Sequence, residues 1–280
     1  MKFPEIYHIG IHKTGTTTLQ NVLAADERIN LILYSRFFNT NKWFGSEYNH
    51  YQEGKNNIES DENMVISLSG LSGIFSTLSR IHRVSPNAKI IVTIREQRSL
   101  LISMYKHHIR QTHNAYSPDN YLNSNDGIAF LNTLFFADLY KQILIFFPKE
   151  NVHFFLLEEM REDFTGFIRS FYQKIFGLEP PAEVKSNTDN IGLNDTQIAW
   201  KRRFNNFYLF KESSTLNKLE HQLHNLPLKL IFRITRNASK KRILFDNFKN
   251  ADKLSADFRK TNAELSALTG LPLEKYGYLV

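Results

Sequence analysis

The chain has 280 residues, 42% apolar and 13% aromatic, enough for a sizeable core and unlike the composition of a disordered segment. Its 35 basic and 28 acidic residues leave a formal charge of +7, which fits a basic site for an anionic ligand as well as an ordinary solubility excess. The absence of cysteine excludes disulfides, thiol nucleophiles and cysteine-held metals, and it fits the cytoplasm.

Residues 1–5 run directly into an apolar strand, Ile6–Ile9, with no secretory segment before it. The strand breaks at Gly10, and a helix begins near Thr16 with Leu19, Val22 and Leu23 on its inner face. A second strand is expected over 31–34. The stretch 39–62 lacks a period and reads as irregular or partly helical. Strands are then expected over 64–68, 88–94 and 152–157, and helices over 71–81, 99–110, 128–146, 164–176, 195–208 and 251–269. The run 88–94 is nearly continuous β-branched hydrophobe, as befits a parallel strand covered on both faces. Residues 112–127 read as a polar linker.

This alternation predicts an α/β fold, a mostly parallel sheet flanked by helices, in one domain over 1–280 with a helical C-terminal cap at about 190–250. The longest apolar run, residues 143–147, stops at Pro148, far short of a membrane span. Peripheral contact with the inner membrane face is still allowed. Basic residues are not gathered as a nucleic-acid-binding element would need, and no nucleic-acid partner is expected.

The most informative segment is Gly10-Ile11-His12-Lys13-Thr14-Gly15-Thr16-Thr17-Thr18. A loop between a buried strand and a helix start gathers unpaired amides and the positive end of the helix dipole. Gly15 lets the backbone approach an anion, Lys13 adds a charge, and Thr16, Thr17 and Thr18 add hydroxyl donors. An ordinary ATP or GTP loop needs Gly-Lys followed by Ser or Thr, whereas here Lys13 precedes Gly15. A second constellation begins at Arg95, where the strongest strand ends, with Ser103 in the following helix. A guanidinium beside a hydroxyl suits a terminal phosphate.

The two motifs together resemble those of the sulfotransferases that use 3′-phosphoadenosine 5′-phosphosulfate (PAPS). In that family a Lys-[Ser/Thr]-Gly-Thr-Thr loop holds the phosphosulfate, and Lys13, Thr14, Gly15, Thr16 and Thr17 match it in order. Arg95 and Ser103 have the spacing of the pair that holds the 3′-phosphate, and the family's proline two places after the arginine is Gln97 here. Residues 258–262 and 276–278 are similar to the C-terminal stretch of bacterial and carbohydrate-acting members.

The resemblance implies a P-loop-like sulfotransferase fold and in-line displacement at sulfur, with Lys13 stabilising the leaving charge and 3′-phosphoadenosine 5′-phosphate (PAP) as product. It requires no metal, and it implies a carbohydrate or glycan acceptor. The base that takes the acceptor proton stays open between His50 and Glu47, with His12, His107 and His108 as further candidates. Phe135, Phe136, Tyr140, Phe146 and Phe147 offer either a stacking wall or plain core. Arg202, Arg203, Lys240, Lys241 and Arg242 offer either anion contacts or a solvated surface. A magnesium-dependent phosphoryl-transfer enzyme and a non-catalytic binding homologue are the competing readings.

Overall fold

In the computed structural model, residues 2–33, 50–64, 71–112, 114–182, 193–206, 230–235 and 243–280 are described. Five strands, β1 (Ile6–Ile9), β2 (Ile29–Leu33), β3 (Asn56–Asp61), β4 (Lys89–Ile94) and β5 (Val152–Leu156), form one sheet in the order β2-β3-β1-β4-β5. Every pairing is parallel, with Ile9 level with Asp61 and Ile94 level with Leu156. Among the described residues, the helices whose bounds are set are α1 (Thr16–Ala24), α2 (Leu71–Val84), α3 (Gln97–Gln111), α4 (Pro118–Leu122), α5 (Asn125–Asn132), α6 (Phe136–Leu144), α7 (Leu157–Glu162), α8 (Phe164–Phe176), α9 (Asp195–Asn205) and α10 (Ala251–Thr269).

The chain divides into two compact units, the first being Met1–Gln97, Ile128–Thr188 and Leu254–Val280, the second Arg98–Gly127 and Asp189–Lys253. The second is therefore more than the C-terminal cap expected over 190–250, because it also takes in residues 98–127. That segment holds α4, which Ser117 caps by accepting from the Asn120 N–H at 3.2 Å and Pro118 opens.

In the first unit, strands buried along nearly their whole length require cover on both faces. On one face α1, α7 and α8 bring Leu19, Val22, Leu23, Met160, Phe167 and Phe171 against Ile58, Ile91 and Phe155. On the other, Tyr140 of α6 meets Phe154 edge-on at 5.4 Å. Phe136, Tyr140 and Phe147 are at most 2% exposed, which makes them core and removes them as a stacking wall. The expected helix 128–146 is two helices: the amide and hydroxyl of Thr133 both donate to the Phe130 carbonyl, closing α5 before α6 begins. Gln97, the residue in place of the family's proline, exchanges hydrogen bonds with Asn262 on α10 and is 1% exposed.

The strand expected over 64–68 lies instead at Asn56–Asp61, and residues 65–68 fall outside the described part. Its sequence, Asn-Asn-Ile-Glu-Ser-Asp, carries no hydrophobic signal, yet five of its six residues are buried. Their polar groups are matched internally. Asn57 bonds to Asn30, to both main-chain groups of Gln52 and to the Lys55 carbonyl. Ser60 receives the Gln20 amide at 3.0 Å and lies 2.9 Å from His8 Nδ1.

His8, fully buried in β1, bridges Ser60 on one side and Thr93 on the other, at 2.9 and 3.1 Å. Burial lowers its pKa to about 4. His153 in β5 is also lowered to about 4, by burial and then by Lys174 and Lys89. Between the ordinary histidine value of about 6.5 and about 4 the unfolded chain binds protons that the folded chain refuses. Stability is thus full above pH 6.5 and is lost as pH falls toward 4, at up to about 1.4 kcal/mol per pH unit for each histidine. Denaturant melts between pH 7 and 5 should show this slope, and His8→Gln should remove one histidine's share of it, up to about 1.4 kcal/mol per pH unit. An unchanged slope in that variant would mean that His8 is protonated in the fold.

Candidate active site

The chain leaves β1 toward β2 on one side and later places β4 on the other, so the crevice at the carboxyl end of β1 is the switch point where open α/β sheets bind ligands. The loop from Gly10 to Gly15 fills that position. The Gly10 amide donates to the Asp61 carbonyl at 3.2 Å, tying the loop to β3, and the Thr14 hydroxyl donates to the Ile11 carbonyl at 2.6 Å. Lys13 adopts φ 68°, an uncommon left-handed conformation for a residue with a Cβ and a source of strain that the loop must hold.

Gly15 has φ 89° and caps α1 with no side-chain bond to the helix amides. A Cβ there would lie 2.7 Å from Leu157 Cδ1, so only glycine fits. The first turn of α1 carries no acidic side chain. Thr16 is 1% exposed, and its hydroxyl makes no hydrogen bond within the protein. That hydroxyl lies near the Glu62 carboxylate, close enough to help lower its pKa but without hydrogen-bond geometry. An uncapped helix start beside a hydroxyl without a partner suits a bound anion.

Arg95 follows β4 directly, and its Nη1 donates to the Lys13 carbonyl at 3.3 Å. The two motifs therefore meet. Burial and the charge of Arg161 lower the pKa of this guanidinium, while Glu158 and Glu96 raise it. Glu158, at the start of α7, accepts the Glu96 amide and the Tyr278 hydroxyl, each at 3.1 Å. Tyr278 is 3% exposed, so the C-terminal stretch is anchored at the same edge as the β4–α3 turn.

The third element is a pair that the sequence does not announce. His12 Nδ1 lies 2.6 Å from Glu62 Oε2, both side chains about one-quarter exposed. Burial raises the Glu62 pKa, but His12, Thr16 and Lys13 outweigh it and hold the carboxyl below its usual range. A carboxylate accepting from Nδ1 fixes the tautomer whose lone pair is on Nε2, the arrangement of an oriented general base.

A family model described as a sulfotransferase domain matches residues 4–221. The chain belongs to the sulfotransferase family. A sulfotransferase from Alicyclobacillus acidocaldarius has a similar crystal structure, with TM-score 0.53 and 18% identity over 68% of this chain and 88% of that one. The mouse sulfotransferase SULT7A1, solved with PAP, aligns with TM-score 0.36 and 18% identity over 75% of this chain and 67% of that one. The curated proteins include no match to the sequence.

In this sulfotransferase Lys13, Thr14, Gly15, Thr16 and Arg95 come together at one strand edge, joined there by His12 and Glu62. The Thr14 hydroxyl is committed to the Ile11 carbonyl and shapes the loop. Thr17 is exposed and Thr18 part-buried in the first turn of α1. Ser103 lies in α3 within the second unit and is part-buried. Glu47 and the Lys240, Lys241, Arg242 run lie outside the described residues.

His50 is placed elsewhere. Its carbonyl accepts from Asn30, which also bonds Asn57, so it sits by the amino ends of β2 and β3. The cradle follows the carboxyl end of β1, about 13 Å away along a strand, so the His50 main chain lies at the opposite end of the sheet from the His12–Glu62 pair. His108 is 7% exposed and stacked on Tyr116 at 5.7 Å, a buried ring of the second unit. Glu62 is the first residue after β3, a strand that hydrophobic patterning does not reveal. Among the described residues, no helix is long and apolar enough to cross a membrane.

Proposed function

We propose that the chain transfers a sulfonate group from PAPS to a hydroxyl of a carbohydrate or glycan by in-line displacement. The supporting observation is the bond from Arg95 to the Lys13 carbonyl, which sets the two anion-binding motifs side by side. The donor set fits the nucleotide: a lysine, an uncapped helix start, the unpartnered Thr16 hydroxyl and a part-buried arginine. In this reading Lys13 and the α1 amides hold the 5′-phosphosulfate and stabilise charge on the leaving oxygen, with Thr16, Thr17 and Thr18 as hydroxyl donors. Arg95, with Ser103, holds the 3′-phosphate. Sulfur–oxygen bond formation to the acceptor accompanies cleavage of the sulfur–oxygen bond to PAP, and the acceptor proton goes to His12 Nε2. Glu62 orients that ring and stabilises its cationic form.

The carbohydrate acceptor rests on the likeness of residues 258–262 and 276–278 to glycan-acting members. Calorimetric titration tests the donor. PAP should bind in EDTA and do so at least about tenfold more tightly than ATP, a difference of about 1.4 kcal/mol. Equal affinity for the two nucleotides, or binding only with magnesium, would sink the assignment.

A further inference from the structure

The second unit contains a cavity of about 670 Å³ that the chemistry above does not use. Two sets of contacts build its frame. Asn205 of α9 donates to the carbonyls of Ile109, Thr112 and Asn114, and Asp195 at the other end pairs with Lys106 of α3 and accepts the Ile243 amide at 2.6 Å. Between them the walls are mainly apolar, with Ala115, Pro118, Ile198, Ala199 and Ile243 contributing. Tyr105 closes one side, its hydroxyl donating to the Tyr116 carbonyl.

The charge on this lining is unbalanced. Asp195 is already matched by Lys106, while Arg202 and Arg203 also line the cavity. Arg203 stacks over the Trp200 ring at 5.2 Å. Among the described residues no carboxylate pairs with either arginine, and Arg202 Nε is buried with no acceptor.. The basic run at 201–203 is therefore not a solvated face, since Lys201 is 6% exposed and Arg202 part-buried. Two guanidinium groups on one mainly apolar lining, with its only carboxylate already matched, leave positive charge that a ligand anion can pair with. Ser103 lies two residues before Tyr105, about 200° around α3, so the cavity is on a different side of the helix from the residue assigned to the nucleotide.

The geometry points to a binding site for an organic anion, an apolar body bearing one carboxylate or sulfonate that Arg202 takes through its planar fork. This inference does not depend on the identity of the sulfonate donor. Titration with the fluorescent probe 1-anilinonaphthalene-8-sulfonate tests it. One saturable site is expected, with 2-naphthoate displacing the probe at least about tenfold better than neutral 2-naphthamide, the weight of a charged hydrogen bond. Arg202→Met should weaken the probe about 10- to 100-fold. Ala199→Phe, at an exposed wall position where folding tolerates bulk, should weaken it by filling the space while leaving the melting temperature unchanged. Equal displacement by acid and amide, or full affinity in the Ala199→Phe protein, would overturn the site. So would displacement of the probe by PAP, which would assign it to the nucleotide crevice.

Discussion

Lys13→Ala should reduce turnover at saturating PAPS by about 10²- to 10³-fold, the effect of removing one preorganised donor from developing negative charge. The backbone complicates the alanine variant. At φ 68° any Cβ is strained, so alanine retains that cost while losing the charge. Lys13→Gly relieves the strain and should refold at least as stably as the parent. If turnover falls equally in both variants, the ammonium group is the cause; if Lys13→Gly retains activity, loop geometry is. The neighbouring bond gives an internal check. Arg95 donates to the Lys13 main-chain carbonyl, so either substitution leaves that contact in place. Single-turnover rates with PAPS, read beside PAP affinity, separate the leaving-group role from simple binding.

The second large effect is expected at His12. Replacement by alanine should cost about 10²- to 10⁴-fold in kcat, the usual weight of a positioned general base, with KM for the acceptor changing little. Rescue of His12→Ala turnover by added imidazole, with no such rescue in a loop variant, distinguishes this from damage to the loop. Glu62→Gln keeps the shape and a hydrogen-bonding oxygen but loses the negative charge beside the imidazole. It should lower kcat and leave PAP affinity nearly unchanged, as suits a positioning residue. Normal kcat in both proteins would remove the pair from the mechanism, and the base would then have to come from residues outside the 2.6 Å His12–Glu62 contact.

The pairing of His12 with Glu62 also shows what kind of information single residues lacked. Glu62 follows a strand made of Asn, Asn, Ile, Glu, Ser and Asp, in which burial depends on side-chain hydrogen bonds instead of apolar area. A reading built on hydrophobic period places the strand several residues late and treats its true residues as irregular chain. With β3 misplaced, the residue that faces the loop after β1 is lost, and the search for a base moves to His50 at the amino ends of the strands.

By itself the sequence determined the alternation of strand and helix, the loop from Gly10 to Thr18 that joins the first strand to the first helix, and Arg95 at the end of the strongest strand. These are local properties: β-branched runs, a glycine where a Cβ has no room, hydroxyls and a lysine at a helix start. The bounds of α8 and α10 were legible for the same reason, since apolar period and the stop at Gly177 are short-range signals. The tertiary structure alone decided which distant residues meet. Parallel pairing of β1 with both β3 and β4 sets His12 beside Glu62 and Lys13 beside Arg95, over separations of 50 and 82 residues. It also decided that the aromatic stretch of α6 is core, that Gln97 pairs with Asn262, and that residues 98–127 join 189–253 in one unit. Such contacts depend on how strands are ordered across a sheet, and no window along the chain contains that order.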